Sequence, residues 1–380
     1  MSTPDVIVIG AGVVGAACAL ALTDAGLTVL LLDRSTIASG TSGAGEGNIL
    51  VSDKEPGPEL TLARRSRDLW FEISDQIGGA FELEAKGGLV ISRTSSGIAQ
   101  LRHLADEQRS HSVQAIEVGS PQLHELEPYL ASEIAFGIHY PEDAQCQPML
   151  ATAHMLRMVR LAGGQVHERE EVLAISRTGN ELSVRTSVGR HTAPFVVNAA
   201  GTWAGEIAQL AGAAIPIAPR RGFILVTAPA PQLVMHKVYD ADYVVNVASD
   251  DSDLQSSAVV ESTKSGTILI GASRERVGFE SHFEVTILRR LAEQAITLFP
   301  SLAKIDLLRA YHGFRPYAPD HLPVIGEDPL CPGLFHAAGH EGAGIGLAPA
   351  TAELIRDAIL KKPSFMDPTP FSPRRFVGSP

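Results

Sequence analysis

The sequence predicts two domains of mixed α/β class (α/β + α+β), one built on a parallel sheet and the other on a mostly antiparallel sheet. Three observations predict it. The chain has 380 residues, too many for one ordinary core when domains run at roughly 100–200 residues. It opens on a strand, a glycine-rich turn, a helix and a second strand. Later its strands cease to alternate with helices, until a last strand and helix return the chain to its first domain.

Composition narrows the class. Hydrophobic residues make up 45% and charged residues 19%, which describes a globular chain. The 31 basic and 43 acidic residues give a net charge of −12. That balance argues against nucleic-acid binding and against docking on an anionic membrane surface, both of which need a basic face. The three cysteines, Cys18, Cys146 and Cys331, are scattered, with neither a disulfide framework nor metal-ligand spacing, so no metal is expected and a reducing cytoplasm fits. The most apolar stretch, Val13 to Leu32, is split by Asp24 and Gly26 into a helix and a strand, so a membrane span is not expected.

Asp5 to Gly10 reads as a buried strand, and Gly10-Ala11-Gly12-Val13-Val14-Gly15 follows at once. Ala16 to Ala25 is helical in composition, Gly26 closes it, and Thr28 to Asp33 is a second strand. This is a Rossmann-like βαβ unit with a G-x-G-x-x-G turn. Gly10 permits the tight turn, Gly12 lets the backbone approach a pyrophosphate, and Gly15 lets helix and strand pack closely. The helix N-terminus offers free N–H groups to phosphates. Asp33 stands about 20 residues on, where an acid takes ribose hydroxyls, with Arg34 beside it. The motif points to a dinucleotide without choosing between FAD and NAD.

Ser39 to Asn48 is a second run of small residues, followed immediately by Ile49, Leu50 and Val51. It is either a surface loop or backbone that approaches a large flat ligand. On the second reading Thr41, Ser42, Gly47 and Asn48 are cofactor contacts.

The remaining elements follow in order. Pro58 to Ile73 reads as a helix, Gly87 to Ser92 as a strand, Ala99 to Ser110 as a charged helix, and Pro148 to Leu161 as a helix closed by Gly163 and Gly164. Strands are expected at Val166, Val172–Ile175, Leu182–Thr186, Pro194–Gly201, Phe223–Thr227, Val244–Val247 and Thr267–Gly271. Glu284 to Leu298 is an amphipathic helix stopped by Pro300, and Ala350 to Lys361 is the last long helix.

These residues resemble the D-amino-acid-oxidase superfamily of FAD-dependent amine oxidoreductases, which includes glycine and sarcosine oxidases and D-amino acid dehydrogenases. The resemblance spans almost the whole chain. It rests on Val6–Gly10 with its glycines, Asn198–Ala204 (NAAGTWA), Gly313–Gly326 (GFRPYAPDHLPVIG) and Ala338–Pro349 (AGHEGAGIGLAP). The form Gly339-His340-Glu341-Gly342 is similar to β subunits of dehydrogenases acting on D-hydroxyproline or opines.

The resemblance implies non-covalent FAD, because no cysteine near Gly313 can form a thioether. It places Ala200 and Gly201 at the pyrophosphate and the main chain of Val172 at the adenine. Gly313, Gly339, Gly342, Ala343, Gly344 and Ile345 fall around the flavin ring. Arg315 matches the arginine that clamps a substrate carboxylate, a task for which a planar fork of donors is suited. His340 and Glu341 are the other catalytic candidates, and His312 flanks the region. Leu269 and Ile270 stand where some family oxidases carry a lysine that promotes reaction with oxygen, which leans towards a dehydrogenase. A tyrosine that helps hold the carboxylate in glycine oxidases is replaced around Val259; Tyr243 and Tyr317 are candidates for that role.

The implied reaction is oxidation of the C–N bond of a D-amino acid or D-hydroxyproline-like imino acid, with hydride passing to flavin N5 and an imine as product. The alternatives are a glycine- or sarcosine-type oxidase using O2, an opine dehydrogenase subunit, an NAD-dependent dehydrogenase, and a non-catalytic flavin subunit. The expected partners are the small amino or imino acid and further subunits carrying an iron–sulfur centre or a second flavin. Residues 1–85, 148–220 and 310–362 are expected to form the FAD domain and 86–147 with 221–309 the substrate domain. Residues 363–380, with Pro363, Pro368, Pro370 and Pro373, form an extended tail.

Overall fold

The structure, a computed structural model, describes residues 3–241, 243 and 251–377. The strand expected at Val244–Val247 lies outside the described residues. The first strand, Val6–Ile9, sits inside a six-stranded sheet, between Phe195–Asn198 and Val29–Leu32. Gln165–His167 extends the sheet on one side and Leu334–Ala338 on the other, all parallel, and Val324–Glu327 closes the edge as an antiparallel hairpin.

Alternation along the first strand explains the layers. Val6 and Val8 pack with the helices Val13–Asp24, Pro58–Gln76, Pro148–Leu161 and Gly344–Leu360. Ile7 and Ile9 face the opposite way, onto a three-stranded antiparallel sheet of Val172–Thr178, Glu181–Thr186 and Arg190–Ala193. Both faces of the parallel sheet are therefore covered, as its uniformly apolar strands require.

The second sheet has eight strands. Their order is Leu307–Tyr317, Ala218–Thr227, Ile268–Arg274, Gln255–Ser262, Lys237–Asp240, Gly88–Ile91, Phe136–Tyr140 and Ile116–Gly119. All neighbours are antiparallel except Lys237–Asp240 with Gly88–Ile91. Phe223, Leu225, Ile268 and Ile270 point to one face. There they meet the helix Val285–Leu298 through Ile287, Leu291, Ala295 and Leu298, a spacing of about one turn. Val90, Ile138, Tyr239 and Val259 point to the other face, which packs on Leu50, Val51 and Leu60 of the first domain. Leu307–Tyr317 and Ala218–Thr227 run through positions 310 and 220 and belong to the second sheet over their whole length, so the chain crosses between the sheets before Ala218 and after Tyr317.

Two segments differ from expectation for local reasons. The last long helix begins at Gly344, not after Pro349, and carries Pro349 in its interior. A proline there has no N–H for the carbonyl of Ile345 four residues back. The indole Nε1 of Trp70, a fully buried side chain, donates to that carbonyl at 2.8 Å instead. The tail is not one extended run. Prolines start two 3₁₀ turns, Thr369–Phe371 and Pro373–Phe376, and Phe371 is fully buried in the main core. Arg375 Nε donates to Asp320 at 2.5 Å and fastens the tail.

Trp70→Phe should keep the ring and lose the donor, leaving the Ile345 carbonyl unpaired. Urea unfolding should show a loss of about 1–3 kcal/mol. Adding Pro349→Ala, which restores a backbone N–H to that carbonyl, should recover part of the loss. No recovery would show that the cost lies in packing alone.

Candidate cofactor and substrate site

A cleft of about 710 Å³ runs from the carboxyl ends of the parallel strands to the second sheet, the position where open α/β sheets bind ligands. Gly10 ends the first strand at φ +112°, in the region open to glycine. Gly12 caps the first helix with no side-chain hydrogen bond, and it lines the cleft. A Cβ on Gly12 would meet only Ser42 Oγ, at 3.1 Å, so the space beyond it is open. The N–H of Val13 donates to Ser42 Oγ at 2.9 Å, and the N–H of Ala11 donates to Asp33 Oδ2 at 2.7 Å. The turn is thus fastened to both flanking loops while the helix N-terminus faces the cleft.

Most of the predicted cofactor residues come together here. Gly10, Gly12, Asp33, Arg34, Thr41, Ser42 and Asn48 line the cleft from the N-terminal segment. Val172, Ala200 and Gly201 line it from the middle of the chain, and Gly313, Gly342, Gly344 and Ile345 from the last part. Thr41 Oγ1 donates to the carbonyl of Phe314 at 2.7 Å and so ties the small-residue run to the second sheet.

Four of the predicted residues lie behind the wall instead. A Cβ on Gly15 would overlap the carbonyl of Gly10, and one on Gly47 would overlap the carbonyl of Cys146. Both glycines serve close backbone packing. Gly339 makes the turn into the final helix at φ +74°, against Ile217 and Ala318. Ala343 faces a second, smaller cavity.

At the far end of the cleft, the second sheet sets arginines side by side. Arg220 and Arg315 are paired across adjacent strands, and Gly222 faces Gly313. Gly222 has no side chain where the Arg315 guanidinium passes. Arg315 Nη1 donates to the carbonyl of Ser273 at 2.8 Å, and among the described residues its other donors meet no acceptor. Arg220 is buried and donates through Nη1 to Glu341 Oε1 at 2.9 Å. His321 Nδ1 donates to Glu341 Oε2 at 3.3 Å. Burial would push the Glu341 carboxyl up, but His321 and Arg220 outweigh it and hold it below the ordinary carboxylate value. Glu341 is therefore an ionised partner of Arg220.

His340 shares a hydrogen bond with Thr351 Oγ1 at 2.9 Å through Nε2. Burial pulls its pKa from the ordinary 6.5 to about 3, so the imidazole stays neutral. Tyr243 lines the cleft, whereas Tyr317 does not and lies under Arg220 and Arg276. His312 also stands off the cleft, in an aromatic cluster with Phe223, Phe283 and Phe314.

Several cleft residues have no sequence motif to mark them. Glu46, on the cleft wall, is one, and Arg274 stands beyond it on the smaller cavity. Lys237, on a neighbouring strand, brings Nζ to 3.5 Å from Glu46 Oε2 and 3.7 Å from Glu261 Oε2. A buried lysine thus stands behind the cleft wall, next to Glu46, although Leu269 and Ile270 are apolar. Beside Val172, Glu170 accepts from His167 Nδ1 at 2.9 Å and His191 Nε2 at 2.6 Å. These three could ligate a cation, but hydrogen bonds already engage both carboxylate oxygens.

Two outcomes follow from this geometry. Gly12→Val should fold with native circular dichroism yet purify without flavin, since its branched side chain enters the open space beyond the turn; a stoichiometrically yellow variant would refute the cradle. The second outcome concerns pH. The folded pKa of His340 lies below its unfolded value, so the unfolded chain binds more protons between about pH 6.5 and 3, and stability falls as pH falls through that window. Wild type should lose up to about 1.4 kcal/mol per pH unit there, measured by urea unfolding, and His340→Gln should lack that component.

The family model for FAD dependent oxidoreductases (DAO) matches residues 5–358. Glycine oxidase of Geobacillus kaustophilus is 29% identical over 98% of this chain and 97% of its own. Its crystal structure superposes with a TM-score of 0.90, at 26% identity, covering 100% of both chains. The bifunctional protein ThiO/ThiG of a Nostoc species is 30% identical over 95% of this chain, which spans only 53% of that protein. The helix N-terminus at the cleft, the open space at Gly12 and a cleft of this size fit a dinucleotide. The chain belongs to the DAO family of FAD-dependent oxidoreductases, and FAD is its cofactor.

Proposed function

We propose that the chain oxidises the C–N bond of a small amino or imino acid whose carboxylate is clamped by Arg315. The observation that carries this reading is the Arg315 fork. It is anchored through one nitrogen to Ser273, and its remaining donors face the cleft. A guanidinium so placed is complementary to a carboxylate and pre-organised to hold it. The similarity to glycine oxidase supports an amino acid as substrate. D-amino acids and cyclic imino acids of the D-hydroxyproline type belong to the same chemical class.

Bound FAD supplies the acceptor for hydride from the carbon bearing nitrogen. The chain's own residues position that carbon. Arg315 fixes the carboxylate, and Glu341 neutralises Arg220, which would otherwise compete with Arg315 for it. The N-terminus of the Gly344–Leu360 helix, which has no side-chain cap, directs its positive end at the cleft and favours negative charge there. Neutral His340 offers a hydrogen-bonding wall without adding charge. The three cysteines are buried away from the cleft, which supports non-covalent FAD.

An anaerobic flavin-bleaching screen across glycine, N-methylglycine, D- and L-amino acids and proline derivatives tests the reaction. At least one amino or imino acid should bleach the flavin, and bleaching by none would leave a flavin subunit without amine chemistry. Arg315→Ala should keep fold and FAD but lose about 3–5 kcal/mol of transition-state binding, a factor of roughly several hundred to several thousand in kcat/KM. Arg315→Lys should recover only part. Equal loss on an amine lacking the carboxylate would mean that Arg315 is structural.

A further inference from the structure

A second cavity of about 370 Å³ adjoins the cleft and shares Tyr243, Arg315, His340, Glu341 and Gly342 with it. Most of its charged residues are already paired. On one wall Lys54 is held by Asp53 at 3.3 Å and Glu59 at 3.1 Å. Arg220 is neutralised by Glu341. Asp320 is engaged by Arg375. That leaves the cations Arg274 and Arg315 and one acid, the exposed Glu55, without an ion pair among the described residues.

Arg274 is the unusual one. It is 5% exposed. Among the described residues no carboxylate lies within ion-pair distance and no acceptor takes its hydrogen bonds; its one contact is the Tyr243 ring, 5.0 Å from the guanidinium carbon. A buried cation without a counter-charge is costly. Burial is the main cause of a pKa pulled down to about 10; the charges of Arg315 and Arg220 act the same way, and Tyr243 and the more distant Glu341 offset it only in part. Arg274 also lines only the smaller cavity, whereas Arg315 lines both. The two guanidinium groups therefore do not share one face. Arg315 stands at the junction and Arg274 beyond it, on the side away from the cofactor cleft.

We infer that Arg274 is a specificity-determining residue that binds a second carboxylate, so that the substrate is an amino or imino acid with a further acidic group on its nitrogen or its side chain. The inference deepens the amine-oxidation reading and rests on it for the place of the first carboxylate. A substrate with one carboxylate satisfies Arg315 and leaves Arg274 buried and unmatched. A diacid matches both. The Tyr243 ring, 5.0 Å from the guanidinium carbon, restrains the side chain before the acid arrives.

The test uses FAD-loaded protein and two inert ligands, diglycolate with two carboxylates and methoxyacetate with one. Calorimetric titration should give diglycolate roughly 10- to 150-fold tighter binding, the range of one hydrogen-bonded charge pair. Arg274→Met should remove that advantage and leave methoxyacetate within about threefold of wild type. Arg274→Lys, which keeps the charge, should restore part of it and stands in should Arg274→Met lose its flavin. Equal binding of the two ligands to wild type would overturn the inference. So would an equal loss of both in Arg274→Met, which would make Arg274 part of a single clamp. The underlying reading fails separately: if no amine bleaches the flavin but diglycolate keeps its Arg274-dependent advantage, the subsite stands and the amine chemistry falls. If glycine bleaches the flavin and diglycolate has no advantage, the chemistry stands and the subsite falls.

Discussion

Arg220 and Glu341 meet at 2.9 Å where the cleft joins the smaller cavity, and the charge pattern of the site depends on that pair. Arg220, Arg274 and Arg315 crowd one end of the cavity, and Glu341 is the carboxylate hydrogen-bonded to one of them. A buried ion pair adds little net stability by itself, because desolvation offsets the attraction. Its value here is placement. It joins the turn before the last helix to the strand that faces Arg315. It also holds Glu341 at φ +46°, a conformation a non-glycine residue keeps only when its surroundings over-determine it. With Arg220 neutralised, the remaining guanidinium groups are available to anions from outside.

The two sheets divide the work of building the cleft. The parallel sheet ends in turns whose N–H groups face inward, and at the start of its first helix Gly12 supplies no side chain to cap it. The antiparallel sheet contributes a flat wall with two adjacent glycines, Gly222 and Gly313, where a ligand and an arginine must both fit. Thr41, reaching from the small-residue run to Phe314, locks one to the other. Behind the wall the last helix is held in place by Trp70, whose indole takes the carbonyl left open by Pro349. The same helix presents its N-terminus to the cofactor, so core packing and cofactor environment are coupled through one element.

Much of the cofactor half was legible in the sequence, because phosphate binding by backbone leaves a local mark. Gly10, Gly12 and Asp33 stand at fixed offsets on consecutive elements, and a βαβ unit has few ways to fold. Arg315 was legible by resemblance, within a short continuous motif. The arginine cluster was not. Arg220 faces Arg315 only through strand register, which no local pattern encodes. Arg274 lies at the end of a strand expected to stop at Gly271, where an arginine reads as surface. The helix start at Gly344 was obscured because Pro349 reads as a breaker, and only Trp70, far away in sequence, makes it tolerable. Glu170 with His167 and His191 is likewise a product of folding, its members drawn from separate strands and a turn.

The central claim is that the cleft seats a carboxylate on the free donors of Arg315, beside the cofactor. A crystal structure of the FAD-loaded protein with methoxyacetate bound tests it most directly. The account predicts the ligand carboxylate within hydrogen-bond distance of two Arg315 nitrogens, with Arg220 still paired to Glu341 and the ligand's other end directed at the flavin. A carboxylate bound elsewhere, with Arg315 contacting only the Ser273 carbonyl, would contradict it.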